Sequence, residues 1–120
     1  MMKQEFDKIA KEKYDIGPCS QELYDTQIEP IYMEFGDEFQ LTKEEMVMMY
    51  WDRKLGGLHM FNVLKYKLEE INLDKRALDA AERIYFNRVP LDITEAFATR
   101  ERKLRAQAKE LLEIWRKGRK

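Results

Sequence analysis

Residues 46–51 are six consecutive apolar side chains, and this run constrains the fold more than any other part of the chain. At about 100° per residue, six successive side chains surround a helix on every side. Thr42 and Glu45 precede the run in the spacing of a capping box, in which each side chain accepts a hydrogen bond from the other residue's backbone amide. The pattern predicts a helix that begins at Thr42 and is covered on more than one face.

A second apolar segment follows this helix after a glycine pair. The helix is expected to run to about Leu55 and to stop at Gly56 and Gly57. Apolar residues continue over 58–64, so the two segments are predicted to form an antiparallel or bent helix pair at the centre of the fold. A buried strand over 46–51 is the competing interpretation, because short apolar runs are ambiguous. The capping box and the three Met residues of the run argue against a strand.

The rest of the chain carries helical patterns joined by short connections. The approximate ranges of the predicted helices are 2–14, 20–35, 42–55, 58–71, 74–89 and 92–117. Pro30 predicts a kink or a new helical start inside the second of them, and Asp74 is expected to cap the fifth. The sequence therefore predicts an all-α fold. We expect a compact bundle of about five to six helices in a single domain, residues 1–120, with the central apolar pair joined at Gly56 and Gly57.

The charges are divided unevenly along the chain, although the formal net charge is only -1. Residues 1–60 carry seven basic and thirteen acidic side chains, whereas residues 61–120 carry fifteen and ten. The favoured interpretation is that acidic and basic helices pack side by side and attract each other. The near-zero total gives no general attraction to nucleic acid or to an anionic membrane.

The chain is expected to reside in the cytoplasm. No apolar stretch approaches the ~18 residues that a membrane span requires, so no membrane association is inferred. The charged start, residues 1–7, lacks the apolar centre of a secretory signal. Cys19 is the single cysteine and cannot form an internal disulfide, so nothing indicates an oxidising compartment.

The first functional hypothesis is a non-enzymatic protein-interaction, regulatory or assembly module that acts through apolar helical surface. Its candidate partner-binding residues are Met48, Met49, Tyr50 and Trp51. Met makes adaptable contact surfaces, and Tyr and Trp are enriched at binding hot spots. The competing interpretation is that this segment is simply the core, in which case only its uncovered excess binds a partner. A protein partner or a second copy of the chain is the expected occupant.

The alternative hypothesis is nucleic-acid binding by the basic last helix. Its candidate phosphate contacts are Arg100, Arg102, Lys103, Arg105 and Lys109. The same helix has an apolar stripe that includes Phe97, Leu104 and Trp115, so a packing helix with a solvated basic face is the competing interpretation. Other acidic partners remain a third alternative.

No pattern in the sequence predicts an active site. His59 is the only histidine and lies in an apolar stretch, so a packing role is favoured over metal binding. A nucleophilic Cys19 would need His59 as its base, and nothing in the sequence brings the two together. Adjacent carboxylates such as Glu69 and Glu70 diverge on a helix. We therefore predict no catalytic residue, no metal, no cofactor and no small-molecule substrate.

Overall fold

The computed structural model describes residues 2–86 and 88–119, and within these ranges it contains helices and no strand. The first helices are α1 (Lys3–Tyr14), α2 (Gln21–Leu23), a π-helical segment (Tyr24–Ile28) and α3 (Glu29–Phe35). They are followed by α4 (Lys43–Trp51), α5 (Gly57–Ile84) and α6 (Leu91–Gly118). The predicted all-α bundle is confirmed, and so is the central pair, α4 and α5, joined through Gly56 and Gly57.

The second helical rod changes its winding just before its proline. Pro30 has no backbone N–H, so it cannot donate the hydrogen bond that would continue a regular helix. The π-helical segment ends at Ile28, and α3 begins at Glu29 with Pro30 in its first turn. The sequence predicts a kink or a new helical start at Pro30; the backbone stays helical through this region, and α3 follows the π-helical segment one residue before Pro30.

The connection between α4 and α5 is a tight turn. The Thr42–Glu45 capping box forms as predicted at the start of α4. The helix ends at Trp51 because the Asp52 carboxylate accepts the backbone N–H groups of Lys54 and Leu55 at 3.0 and 3.2 Å. This turn makes α4 about four residues shorter than the sequence pattern suggested.

Both glycines of that turn are required by its geometry. Gly56 adopts a φ of +69°, the left-handed conformation that favours glycine. Gly57 lies so close to α4 that a Cβ atom would stand 2.1 Å from the Met48 carbonyl oxygen. Glycine at these two positions therefore lets α5 fold back directly against α4.

The core occupies one end of the molecule. Twenty apolar side chains form a single buried cluster, supplied by every helix except the short α2. The helix α5 contributes to it only with residues up to Ile71, and α6 only with residues from Leu104 onwards. Residues 2–71 and 104–119 therefore include the whole of the buried core within the described chain.

The remaining parts of α5 and α6 project from this bundle as an antiparallel two-helix arm. We define the arm as residues 72–103, and none of its described residues is buried. The radius of gyration is 16.8 Å, against about 14 Å for a chain of this length with ordinary compactness. The longest dimension of 53 Å, compared with 31 and 19 Å for the other two, shows the same elongation.

The predicted helix break between residues 71 and 74 is wrong, because α5 runs through it without interruption. Asp74 does not cap a helix; its carboxylate lies 3.0 Å from the guanidinium of Arg100 on α6. Arg100 also lies 3.9 Å from Glu70, and Lys67 donates to Gln107 at 2.8 Å. These contacts with α6 support one long helix where local propensity suggested two.

Among the described residues, no helix has the length and apolar character needed to cross a membrane.

Candidate interaction surfaces

The predicted partner-binding residues of α4 lie in the core or against it. Met49 is fully buried, so its side chain is not accessible while the bundle is folded. Met48, Tyr50 and Trp51 are half-buried and pack against the core. The Tyr50 ring lies 4.8 Å from the Trp51 ring and 5.0 Å from the Phe61 ring, centroid to centroid. The chain itself thus covers most of the apolar surface of α4, and partner binding by its half-buried residues stays a prediction.

Exposed apolar side chains run along the outer face of α5. We call this surface the α5 seam, and it consists of Tyr66, Leu73, Ala77, Ala80 and Ile84. Tyr66, Leu73 and Ile84 are 58%, 60% and 72% exposed, and both alanines are also exposed. Spacings of seven, four, three and four residues place all five side chains within an arc of about 60°. The seam is about 27 Å long at ~1.5 Å per residue.

The seam lies on the opposite side of α5 from the core. Leu64, Leu68 and Ile71 form the buried stripe of the same helix, and this stripe is roughly half a turn away from Tyr66 and Leu73. A helix on a protein surface normally carries one apolar stripe. A second, exposed stripe is the pattern expected of a helix that has a partner on both sides.

Charged residues border the seam on the side away from α6. Glu69, Arg76 and Arg83 are exposed and seven residues apart, so they lie in one row beside the seam. In the part of the chain that the structure describes, none of the three makes an ion pair. On the other side of the seam, Glu70 and Asp74 lie near Arg100 of α6. The outer row therefore retains charges that are available to a partner.

The end of the arm is also apolar. We call Tyr85, Phe86 and Leu91 the hairpin tip; Phe86 is 86% exposed and Leu91 is 71% exposed. Phe86 has a φ of +52°, which is uncommon for a residue with a side chain, and Arg88 donates its backbone N–H to the Tyr85 carbonyl at 3.0 Å. The turn thus holds a large apolar ring in water at the point farthest from the core.

The predicted nucleic-acid residues of α6 do not form one free basic surface. Arg105 makes ion pairs with Glu34, Glu38 and Glu101, and its guanidinium lies 5.6 Å from the centroid of the Phe35 ring. Arg100 faces the two α5 carboxylates described above. Arg102 donates to the Thr99 hydroxyl at 3.1 Å. In the described chain, Lys103 and Lys109 are exposed and make no ion pair.

Arg116 supplies the second strong link between the basic and acidic halves of the chain. Its Nε and Nη2 atoms donate to the two carboxylate oxygens of Glu45 at 2.7 and 3.0 Å. Nη2 also donates to the carbonyls of Phe39 and Gln40 at 3.0 and 3.2 Å. Together with Arg105, this contact confirms that the acidic and basic halves of the chain attract each other across the bundle.

Neither His59 nor Cys19 lies in an arrangement that indicates catalysis. His59 is exposed and lines an apolar groove of about 230 Å³ beside Met60, Leu111 and Trp115. Cys19 is half-buried, and burial is the main cause that raises the pKa of its thiol, which disfavours the reactive thiolate. No cluster of three or more His, Cys, Asp or Glu residues suited to a metal occurs among the residues described.

The α5 seam is the feature that sequence reasoning missed. Its spacing is visible in the sequence from Tyr66 to Ile84, but only if the helix is continuous across Asp74. The expected break at Asp74 divided the pattern into two short parts.

Comparison of the chain with protein families, curated proteins and solved structures finds no match.

Proposed function

We propose that this chain is a non-enzymatic protein-interaction module that presents apolar helical surface on its projecting α5–α6 arm. The observation that carries the proposal is the exposure of the α5 seam, which continues into the hairpin tip. Large apolar side chains that are exposed in a row on one face often mark interaction sites on proteins. The proposed setting is the cytoplasm, where Cys19 stays a free thiol.

The exposed side chains are large enough to supply specific binding. Covering a Leu, Ile or Phe side chain contributes roughly 1.5–3 kcal/mol by area. Leu73, Ile84, Phe86 and Leu91 therefore hold several kcal/mol of unused burial energy, and Tyr66 adds an aromatic side chain with a polar end. Tyr and Arg are enriched at hot spots, and Arg76 and Arg83 stand next to the apolar side chains.

Ion pairs join the base of the arm to the bundle. Arg105 connects α6 to α3, and Arg116 connects α6 to α4. The antiparallel contact of α5 with α6 extends this order into the arm through the ion pair of Asp74 with Arg100. A surface that is ordered before binding loses less conformational entropy when a partner arrives. The division of the molecule into an anchoring bundle and a projecting arm fits this role.

Nucleic-acid binding is the weaker candidate. Two of its five residues, Arg100 and Arg105, are already neutralised by carboxylates of the same chain. Arg102, Lys103 and Lys109 remain as potential phosphate contacts. Nucleic-acid binding would be favoured if the chain slows the electrophoretic migration of DNA or RNA at low salt and Lys103→Gln and Lys109→Gln abolish this effect.

Site-specific photo-crosslinking in living cells tests the proposal. A photoreactive phenylalanine analogue replaces Leu73 or Phe86, and the control places it at Met33 of α3, which is 71% exposed but lies in the bundle. The proposal expects protein adducts from positions 73 and 86 and few from position 33. Absence of adducts from both arm positions, or equal labelling at all three, would contradict it.

A further inference from the structure

We propose that the occupant of the α5 seam is the same seam of a second copy, packed antiparallel about a twofold axis near residue 75. The inference rests on the proposed function, because it names the partner of the exposed apolar surface. A twofold interface uses the same patch on both copies, so the patch must be complementary to itself. The α5 seam meets this condition in its side-chain sizes, in its charges and in the position of its ends.

Side-chain size is complementary in the antiparallel arrangement. With the axis near residue 75, Tyr66 of one copy faces Ile84 of the other, and Leu73 faces Ala77. Large side chains thus meet small ones at the centre, where the alanines let the helices approach closely. The spacing of the seam residues, alternately four and three positions, leaves one further place between Tyr66 and Leu73, which is occupied by Glu70. Glu70 lies at the edge of the seam, 3.9 Å from Arg100. Its charge therefore has a partner within its own chain.

The row of charges beside the seam is complementary in the same register. Antiparallel packing brings Glu69 of each copy next to Arg83 of the other, which makes two symmetric ion pairs. Arg76 of each copy lies near the axis and faces Arg76 of the other, which is one like-charge contact against the two ion pairs. Glu69 and Arg83 make no ion pair within the described part of their own chain, so both are free for these contacts.

A parallel arrangement is disfavoured by the same charges. Residues that flank a parallel helix pair meet residues about five positions further along the second helix. Glu69 of each copy would then approach Asp74 of the other, so like charges would meet twice in a parallel pair. A parallel pair would also bring two bundles side by side, whereas the antiparallel pair places them at opposite ends.

The antiparallel register also covers the hairpin tips. Phe86 of one copy arrives near the level of Tyr66 of the other, whose side chain is exposed. Each copy contributes an α5 seam about 27 Å long and ~10 Å wide, and the Phe86 ring is covered at each end. Together these surfaces bury on the order of 1,000 Å², which is at the lower end for a specific interface. We therefore expect a reversible dimer with a Kd in the range of about 1–100 µM.

Sedimentation equilibrium of the full chain tests the proposal. Over about 1–500 µM, we expect the mass to rise from 14.5 kDa towards twice that value. Leu73→Asp should remain a monomer throughout, whereas the control Met33→Asp should dimerise like the wild type. Helix content from circular dichroism and the urea midpoint establish that each variant is folded. A wild type that stays at 14.5 kDa at the highest concentration would overturn the dimer.

Charge reversal tests the antiparallel register separately. Glu69→Arg and Arg83→Glu should each weaken the dimer by about tenfold or more, since each places like charges together twice. The double variant should recover most of the affinity. Failure of the double variant to recover would overturn the register.

The outcomes also separate the dimer from the broader function. A strictly monomeric protein that still gives adducts from positions 73 and 86 in cells overturns the dimer and leaves the interaction module standing. A monomer that gives no adducts overturns both.

Discussion

The ion pair between Glu45 and Arg116 should be the most sensitive polar contact in the bundle. The Glu45 side chain is 6% exposed and that of Arg116 is 22% exposed. The carboxylate accepts two hydrogen bonds from Arg116, and Oε1 also accepts the Thr42 backbone N–H at 3.1 Å. Replacing Glu45 by Ala therefore removes a helix cap and a buried charge pair in one step.

The size of the effect follows from these two parts. Loss of a capping contact costs about 1 kcal/mol. Hydrogen bonds to a charged group contribute about 1.5–3 kcal/mol, and the lower part of that range applies because Arg116 is partly solvated and retains Glu113 and two backbone carbonyls. We expect Glu45→Ala to lower the free energy of unfolding by about 3 kcal/mol. Glu45→Gln, which keeps an acceptor for Thr42, should lower it by about 2 kcal/mol.

Urea unfolding followed by circular dichroism measures both variants. The midpoint should fall while the slope stays unchanged, as expected for a change in native stability alone. Glu44→Ala is the matched control, since Glu44 lies in the same helical turn but is exposed. A double-mutant cycle with Arg116→Met should give a coupling of about 1.5 kcal/mol or more. If Glu45→Ala and Glu44→Ala destabilise the chain equally, the argument from burial and pairing is refuted.

Further predictions concern pH, the glycine turn and α6. Burial tends to raise the pKa of Glu45, but hydrogen bonds from Arg116 and Thr42 outweigh it and leave the pKa below its usual 4.5. The ionised Glu45 should therefore stabilise the fold fully above pH 4.5, and this contribution should be lost as the pH falls below that value. The urea midpoint of Glu45→Gln should depend less on acid pH than that of the wild type. Gly57→Ala should lower the free energy of unfolding by about 3 kcal/mol and Gly56→Ala by about 1 kcal/mol, because a Cβ at position 57 would overlap backbone oxygens whereas Gly56 has open space around it. Thermal unfolding of the two variants measures the difference, and the reverse order would contradict the turn geometry. Arg105→Gln should lower the urea midpoint, whereas Lys103→Gln should leave it unchanged within about 0.5 kcal/mol; equal effects would contradict the role of Arg105 as a link between α6 and α3.

The sequence was most informative where local chemistry determines the structure. The capping box at Thr42 and Glu45 needs only neighbouring residues, and it forms as predicted. The change of helical winding near Pro30 depends on a missing N–H and is equally local. Long-range contacts decide the other cases. Asp74 has the chemistry of a helix cap, yet its ion pair with Arg100 of α6 lies in the middle of a continuous helix.

The expected helix break at Asp74 also concealed the α5 seam. The apolar run over 46–51 draws attention because its residues are adjacent, and its side chains pack in the core or against it. The α5 seam is spread over nineteen positions, 66–84, and emerges only on an unbroken helix. Burial of α4 depends on how α1, α5 and α6 surround it, which no local pattern in the sequence specifies. A continuous α5 is therefore the structural fact that changes the functional interpretation.

Cysteine crosslinking across the α5 seam shows whether two copies pack antiparallel along it. In a Cys19→Ser background, Tyr66→Cys and Ile84→Cys proteins are mixed and treated with a short bifunctional thiol reagent, with Met33→Cys as control. An antiparallel dimer should give crosslinked dimers in the mixture and few in either protein alone, because like positions lie about 27 Å apart in an antiparallel pair. Dimers from Tyr66→Cys alone, or no dimer in the mixture at concentrations near 500 µM, roughly the upper limit of a weak specific contact, would contradict it.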